Sequence, residues 1–292
     1  MASKLFTILV ILPAIYAKIQ IDIHTNDDQK MHVHMAGASV SMLGEIDKAT
    51  FGLTDDNLKQ AITNMGMKPD NVFLNSPTPW GDLFKTMNWE PTRMIFEPKK
   101  AEILSVKTEQ VLVKSNNVYN KHTEPITHKV DMRQTVMNTI SSKWSKEGEL
   151  EVKNIHYNVL MKTPESGEFS FISKGSEDIE KLVPITVGDL TEITLEPKQK
   201  LVAELYATAE HTMVRVDFEA KLAGTVALNF DNKFEGHRFW SVDINTLLTA
   251  GGLKKVMHFS EIIEVIQFTD TKVLVKDAAT DKVVYSVPLT MQ

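Results

Sequence analysis

The chain has 292 residues, 42% of them hydrophobic, with 32 basic and 38 acidic side chains for a net charge of −6. That balance argues against a nucleic-acid partner and against purely electrostatic docking on anionic lipid, while the hydrophobic content suffices for one or two substantial cores. Cysteine is absent, so no disulfide pins one part to another and stability must come from core and sheet.

Lys4 precedes the apolar run Leu5–Leu12, and Pro13, Ala14 and Ala17 follow it. The pattern predicts a secretory signal peptide over residues 1–17, because eight apolar residues fall well short of the ~20 a spanning helix needs. The mature protein is then secreted and extracellular. Loss of Lys4 leaves 31 basic against 38 acidic side chains, a net −7, and the absence of any Asn-x-Ser/Thr triplet argues against N-glycosylation.

Ile19–Ile23 and Met31–Met35 read as strands. His32 and His34 share a strand face, with His24 nearby in sequence. That makes at most half of a metal site, since zinc wants three or four ligands, so no metal and no cofactor are assigned. Thr54 is a helix N-cap candidate, with Asp55 and Asp56 in the first turn and Leu58, Ala61, Ile62 and Met65 on one face before Gly66. A shorter helix is predicted over Pro79–Met87. The region Phe73–Phe96 concentrates aromatic residues, and Trp80 and Trp89, near Pro77, Pro79 and Pro91, are candidate recognition residues of a small mixed α/β N-terminal domain, residues 18–100. Glu97-Pro98-Lys99-Lys100 reads as the junction to a strand-rich body, residues 101–292.

In that body, Val111–Asn120, Thr127–Val136 and Thr139–Ser142 are rich in Thr, Val and Ile and free of Gly, which predicts strands. Leu182–Val187, Thr191–Leu195, Lys200–Thr208 and Met213–Leu222 follow, with Glu196-Pro197-Lys198 as a turn. Strict alternation gives the last of these a dry face of Val214, Val216, Phe218, Ala220 and Leu222. A short helix is expected within Trp240–Leu248, and Glu261–Phe268, Lys272–Lys276 and Lys282–Val287 form a terminal meander.

Between these strands, within residues 146–180, lies an amphipathic hairpin. With Thr163–Gly167 as a five-residue turn, Lys162 faces Glu168, Met161 faces Phe169, Val159 faces Phe171 and Tyr157 faces Ser173. One face carries Ile155, Tyr157, Val159, Met161, Phe169 and Phe171; extending it backward adds Glu147, Glu149, Glu151 and Lys153. His122, His128 and His156 cluster loosely around it as candidate pH-sensing groups.

Asn116 and Asn120 at a strand end, the Thr/Ser-rich strand Thr127–Ser142, the turn within Leu195–Val202 and the run Phe218–Thr225 together resemble the aerolysin-like, epsilon-toxin and mosquitocidal-toxin superfamily. The resemblance extends to its spherulin and insect follicular-epithelium yolk protein relatives, and covers about Ile103–Phe230. It implies a mainly β (α+β overall), elongated body of long antiparallel strands. It also implies a secreted, non-enzymatic protein that binds a membrane or cell-surface receptor, forms a homo-oligomer and inserts its hairpin into lipid. The alternative is a non-lytic storage or structural protein of the same fold. Aspartates in place of Val159 and Phe171 are expected to abolish membrane leakage while leaving the soluble fold intact.

Overall fold

The structure, a computed structural model, describes residues 18–25, 31–152, 155–161, 168–173 and 178–289. The expected signal peptide and the turn Thr163–Gly167 lie outside the described residues. In the first third, β1 (Ile19–Thr25), β2 (Met31–Ala36), β3 (Ser39–Met42), α1 (Glu45–Thr50), α2 (Asp55–Asn64), β4 (Asn71–Phe73) and α3 (Leu83–Met87) lead into the long β5 (Arg93–Tyr119). The middle holds β6 (Ile126–Asp131), β7 (Gln134–Lys146), the hairpin β8 (Ile155–Leu160) and β9 (Glu168–Ser173), then β10 (Ile179–Val187) and β11 (Leu190–Leu195). The last part runs through β12 (Lys200–Ala223), β13 (Thr225–Phe234), β14 (His237–Asp243), α4 (Ile244–Gly251), β15 (Val256–Asp277) and β16 (Val283–Leu289).

The main sheet has the order β10-β7-β15-β12-β5-β3, with β16 also on β15. Its centre is longer than the sequence pattern suggests. The 24-residue β12, expected as two strands, extends for roughly 80 Å at about 3.3 Å per residue. The polar stretch Glu210-His211-Thr212 reads as a break, yet β5 and β15 pair with it on both sides, and Gln267 Nε2 donates to Glu210 at 2.8 Å. β15 likewise absorbs Thr269-Asp270-Thr271, with Asp270 bulged out of register at φ 35°.

The alternation of β12 holds as expected: Val214, Val216, Phe218, Ala220 and Leu222 are all buried. They anchor the larger core, where the Phe96 ring stacks on Phe218 at 5.0 Å and meets Phe259 edge-on at 5.8 Å. A second core at the other end of the sheet gathers Met132, Ile193, Leu195, Leu205 and Val273 beneath the two-stranded β6–β11 sheet.

The junction expected at Glu97–Lys100 falls inside β5. Proline and three charges mimic a linker, but β3 pairs with β5 no further than Phe96, so Pro98 sits where β5 has become an edge strand and needs no donor there. Glu97 accepts from Lys99 and Lys221, each at 2.6 Å. Residues 18–100 also share the larger core, since Ile19, Ile21, Leu58 and Ile62 join the cluster of Val214 and Phe259.

The helix at Thr54 forms as read, its Oγ1 accepting from Asn57 N at 3.2 Å. The next one starts at Leu83 rather than Pro79, because Asp82 caps it and Thr78 and Gly81 close a turn with two backbone bonds of 2.9 Å. Similarly, Trp240–Asp243 belongs to β14, and α4 begins only after the Asp243 cap. Gly224, between β12 and β13, has φ 108°, and a Cβ there would lie 2.3 Å from the Pro91 carbonyl oxygen, so the turn admits only glycine.

Asn120 at the end of β5 is fully buried. Its Nδ2 donates to the carbonyls of Glu124, Leu195 and Glu196, and its Oδ1 accepts from His122 N at 2.9 Å. Asn120→Ala leaves several of these groups unpaired and is expected to cost about 2–3 kcal/mol, read as a lowered urea midpoint with an unchanged slope.

Candidate functional site: a docked amphipathic hairpin

The β8–β9 hairpin lies in a four-stranded sheet of order β2-β1-β8-β9. β8 is held on one side by β9 and on the other by β1, in parallel register from Ile19↔Ile155 to Ile23↔Val159. The sequence gives this strand its alternation and the fold gives it a seat. Ile155, Tyr157, Val159 and Met161 are at most 2% exposed, packed in the larger core with Ile19, Ile21 and Ile23 of β1. On the opposite face His156 and Asn158 are half-buried, and Leu160 is exposed. Asn158 Nδ2 donates to Asp22 Oδ1 at 2.8 Å, tying β8 to β1 through side chains as well.

The hairpin register differs from the expected one by two residues. Ile155 pairs with Ser173, Tyr157 with Phe171, Val159 with Phe169 and Leu160 with Glu168. A two-residue shift keeps every residue on its face, so Phe169 and Phe171 still lie opposite the buried residues of β8. The segment before the hairpin is not strand: residues 147–152 dock on α1 instead. Asp47, buried, accepts from Gly44 N at 3.0 Å and from Glu151 N at 2.9 Å, and Thr50 Oγ1 donates to the Glu149 carbonyl at 2.6 Å. Leu150 and Val152 enter the core, which is why the alternation of Glu147, Glu149 and Glu151 does not build a longer strand.

Beneath the hairpin lies a residue that sequence reasoning missed. Tyr157 Oη donates to Glu261 Oε2 at 2.7 Å, both side chains being buried. Burial pushes the Glu261 carboxyl up to about 7, the Tyr157 hydrogen bond pulling the other way and Asp178 adding to the rise. Burial and the adjacent carboxylate also push the Tyr157 phenol far above its ordinary range. The signal was present in the sequence: Glu261 is the one acidic residue in the alternating dry face Met257, Phe259, Glu261, Ile263, Val265.

The other candidates are dispersed. His122 lies beyond the end of β5, His128 on β6 and His156 on β8, in three separate places, so the fold does not gather them. The His24 and His32 rings stack cross-strand at 5.8 Å, but no group of three or more His, Cys, Asp or Glu among the described residues is arranged to hold a metal ion. The two tryptophans do come together with other rings. Trp80 is 39% exposed and meets Phe73 at 6.0 Å and Phe239 at 5.0 Å, both edge-on. Trp89 packs on the small cluster of Leu83, Phe84 and Ala227, with Phe73 and Phe239 at its margin. This aromatic patch sits on the β14-β13-β4 sheet, and Met87 beside it in sequence is also exposed.

A strand-dominated chain with a long sheet and an amphipathic hairpin docked against it has a mainly β, aerolysin-like fold. The parasporin-2 toxin of Bacillus thuringiensis, a toxin that recognizes cancer cells, superposes with a TM-score of 0.66 at 14% identity, over 86% of this chain and 100% of that one. In sequence the chain is similar to U-megalopygitoxin(8)-Mo12 of Megalopyge opercularis, 28% identical over 252 residues, 85% of this chain and 88% of the relative. It is equally similar to U-megalopygitoxin(8)-Mc8 of Megalopyge crispata, 28% identical over 253 residues, 86% and 88% of the two chains. No family model matches.

Proposed function

We propose that this protein is a secreted, non-enzymatic toxin that engages a cell surface, assembles with copies of itself and inserts the β8–β9 hairpin into a bilayer. The observation that carries the reading is the hairpin's own construction: an apolar face held against the core by packing, one parallel strand and a few side-chain hydrogen bonds. It sits as an excursion between β7 and β10, which pair antiparallel up to Ser142↔Ile179. In a membrane barrel the same alternation presents its apolar side chains to lipid. Similarity to proteins named as toxins supports this reading over the storage role. No helix among the described residues is long and apolar enough to cross a membrane, so insertion in this reading is by strands.

The geometry also specifies what must change. Each strand of the docked hairpin has six residues, against the 9–11 a barrel strand needs. Insertion therefore recruits flanking chain, and the two flanks are unequal. Residues 143–154 lead out from the β7–β10 ladder and residues 174–178 lead back, so one continuous hairpin must absorb a seven-residue difference. Because the difference is odd, the faces match only through a bulge or a re-registered pair. The exposed Trp80 ring, backed by half-buried Phe73 and Phe239, supplies the surface for first contact, as amphipathic aromatics do at membrane and protein interfaces.

The deciding experiment is dye release from lipid vesicles by the mature chain, with and without limited proteolysis, using target-cell lipids as well as synthetic ones. Release together with a detergent-resistant oligomer is the expected result. Silence in every condition rejects pore formation and favours the storage or structural role.

A further inference from the structure

We propose that the hydrogen-bonded pair Tyr157–Glu261 is a latch that holds the hairpin on the body in acid medium and weakens as the pH rises to neutrality. This rests on reading β8–β9 as the mobile element. The pair is the polar contact at the centre of an otherwise apolar seat. Glu261 belongs to β15, flanked in register by Trp144 of β7 and Val216 of β12, while Tyr157 belongs to the hairpin. When the hairpin lifts, the tyrosine leaves with it and the carboxyl is exposed to water.

Among the described residues no cation offsets the Glu261 charge. From the hairpin it faces the Tyr157 hydroxyl. From β7 come Ser142 and Trp144, both uncharged, with Lys146 farther along engaged with Glu149 at 3.2 Å. β12 offers apolar Val216 and Phe218. Ahead of β10, Asp178, whose Oδ1 accepts from Trp144 N at 3.0 Å, adds a second negative charge. The Ser142 hydroxyl, buried beside the carboxyl, pulls its pKa down as Tyr157 does, but neither hydroxyl brings a charge, and burial outweighs both. An ionised carboxylate placed so is costly, and a protonated one is not.

The sign follows from linkage. The docked state holds the Glu261 proton up to about pH 7, whereas the carboxyl of a lifted hairpin, open to water, releases it near its ordinary 4.5. The latch is therefore at full strength below about pH 4.5 and is lost as pH rises through about 7. Between those two values each pH unit shifts the docking equilibrium by up to about tenfold toward release, one proton being involved, and above about 7 the shift levels off because both states are ionised. Glu261→Gln keeps an acceptor for Tyr157 and cannot ionise, so its docking is independent of pH.

The test is hydrogen exchange of the β8 amides in the full mature chain from pH 5 to 9, corrected for intrinsic rates, with β13 as an internal reference. Expected is a loss of β8 protection approaching tenfold per unit from pH 5 to about 7 in the native sequence, levelling off above 7, and flat protection in Glu261→Gln, with β13 unchanged in both. Flat β8 protection in the native chain overturns the latch, and so does an undiminished slope in Glu261→Gln. If Glu261→Gln does not fold, the native slope and its extension to higher pH in Tyr157→Phe, which lacks the hydrogen bond that lowers the Glu261 pKa, decide, and an unmoved upper limit in Tyr157→Phe overturns the latch. Vesicle release measured in parallel separates the two readings. A pH-dependent hairpin without release keeps the latch and rejects the pore, and release with a pH-independent hairpin does the reverse.

Discussion

A chain carrying Asp22→Cys and Asn158→Cys, oxidised to one disulfide, is expected to release no dye from vesicles, and a reductant is expected to restore release. The two residues are register partners on β1 and β8, and their side chains already touch at 2.8 Å. Neighbouring strands lie about 4.8 Å apart, within the Cα separation a disulfide accepts. Because the native chain has no cysteine, the crosslink is the only one that can form within a molecule. It fastens the hairpin to β1 without touching the apolar face, the sheet edges or the aromatic patch. The reduced form controls for the lost hydrogen bond, and surface binding should survive oxidation. Full release by the oxidised chain would show that the hairpin stays docked during permeabilisation and would remove β8–β9 from the mechanism.

Val159→Asp is expected to destabilise the soluble protein by about 3–5 kcal/mol, a large part of the 5–15 kcal/mol typical of a folded domain. The sequence pattern suggests that this change spares the soluble fold, because a hairpin destined for lipid is easily imagined on the surface. The structure corrects that expectation. Val159 is 1% exposed, between Ile23 of β1 and Phe169 of β9 in register, and it packs within the larger apolar core. An aspartate there is an unpaired buried charge. Urea unfolding of Val159→Asp and Val159→Ala against the native chain measures the cost, and a midpoint unchanged by the aspartate refutes the docked position of β8. Loss of leakage in Val159→Asp is uninformative by itself, whereas the reversible disulfide above leaves the core intact.

Much of the fold was legible because it depends on short-range pattern. The two-residue alternation of Val214–Leu222 marked a dry face that the core then used, Thr54 and Asp55 announced α2, and the face assignment of β8 survived a wrong register because the error was even. Where the reading failed, a distant neighbour overrode a local signal. Glu210-His211-Thr212 looks like the end of a strand until β5 and β15 supply hydrogen bonds on both sides. Glu97–Lys100 looks like a linker until Lys221, more than a hundred residues later, pairs with Glu97.

By itself, then, the sequence determined the periodicities: mainly extended chain, no crosslinks, an apolar stripe from Ile155 to Met161 and a single carboxylate at Glu261 breaking another dry stripe. Only the tertiary structure decided that these two stripes face each other, that Asp22 and Asn158 join β1 to β8, and that the N-terminal segment shares the body's core. The physical reason is that side-chain periodicity is fixed by the local backbone, whereas the partner of a strand is chosen by non-local pairing and burial, which no stretch of chain encodes alone.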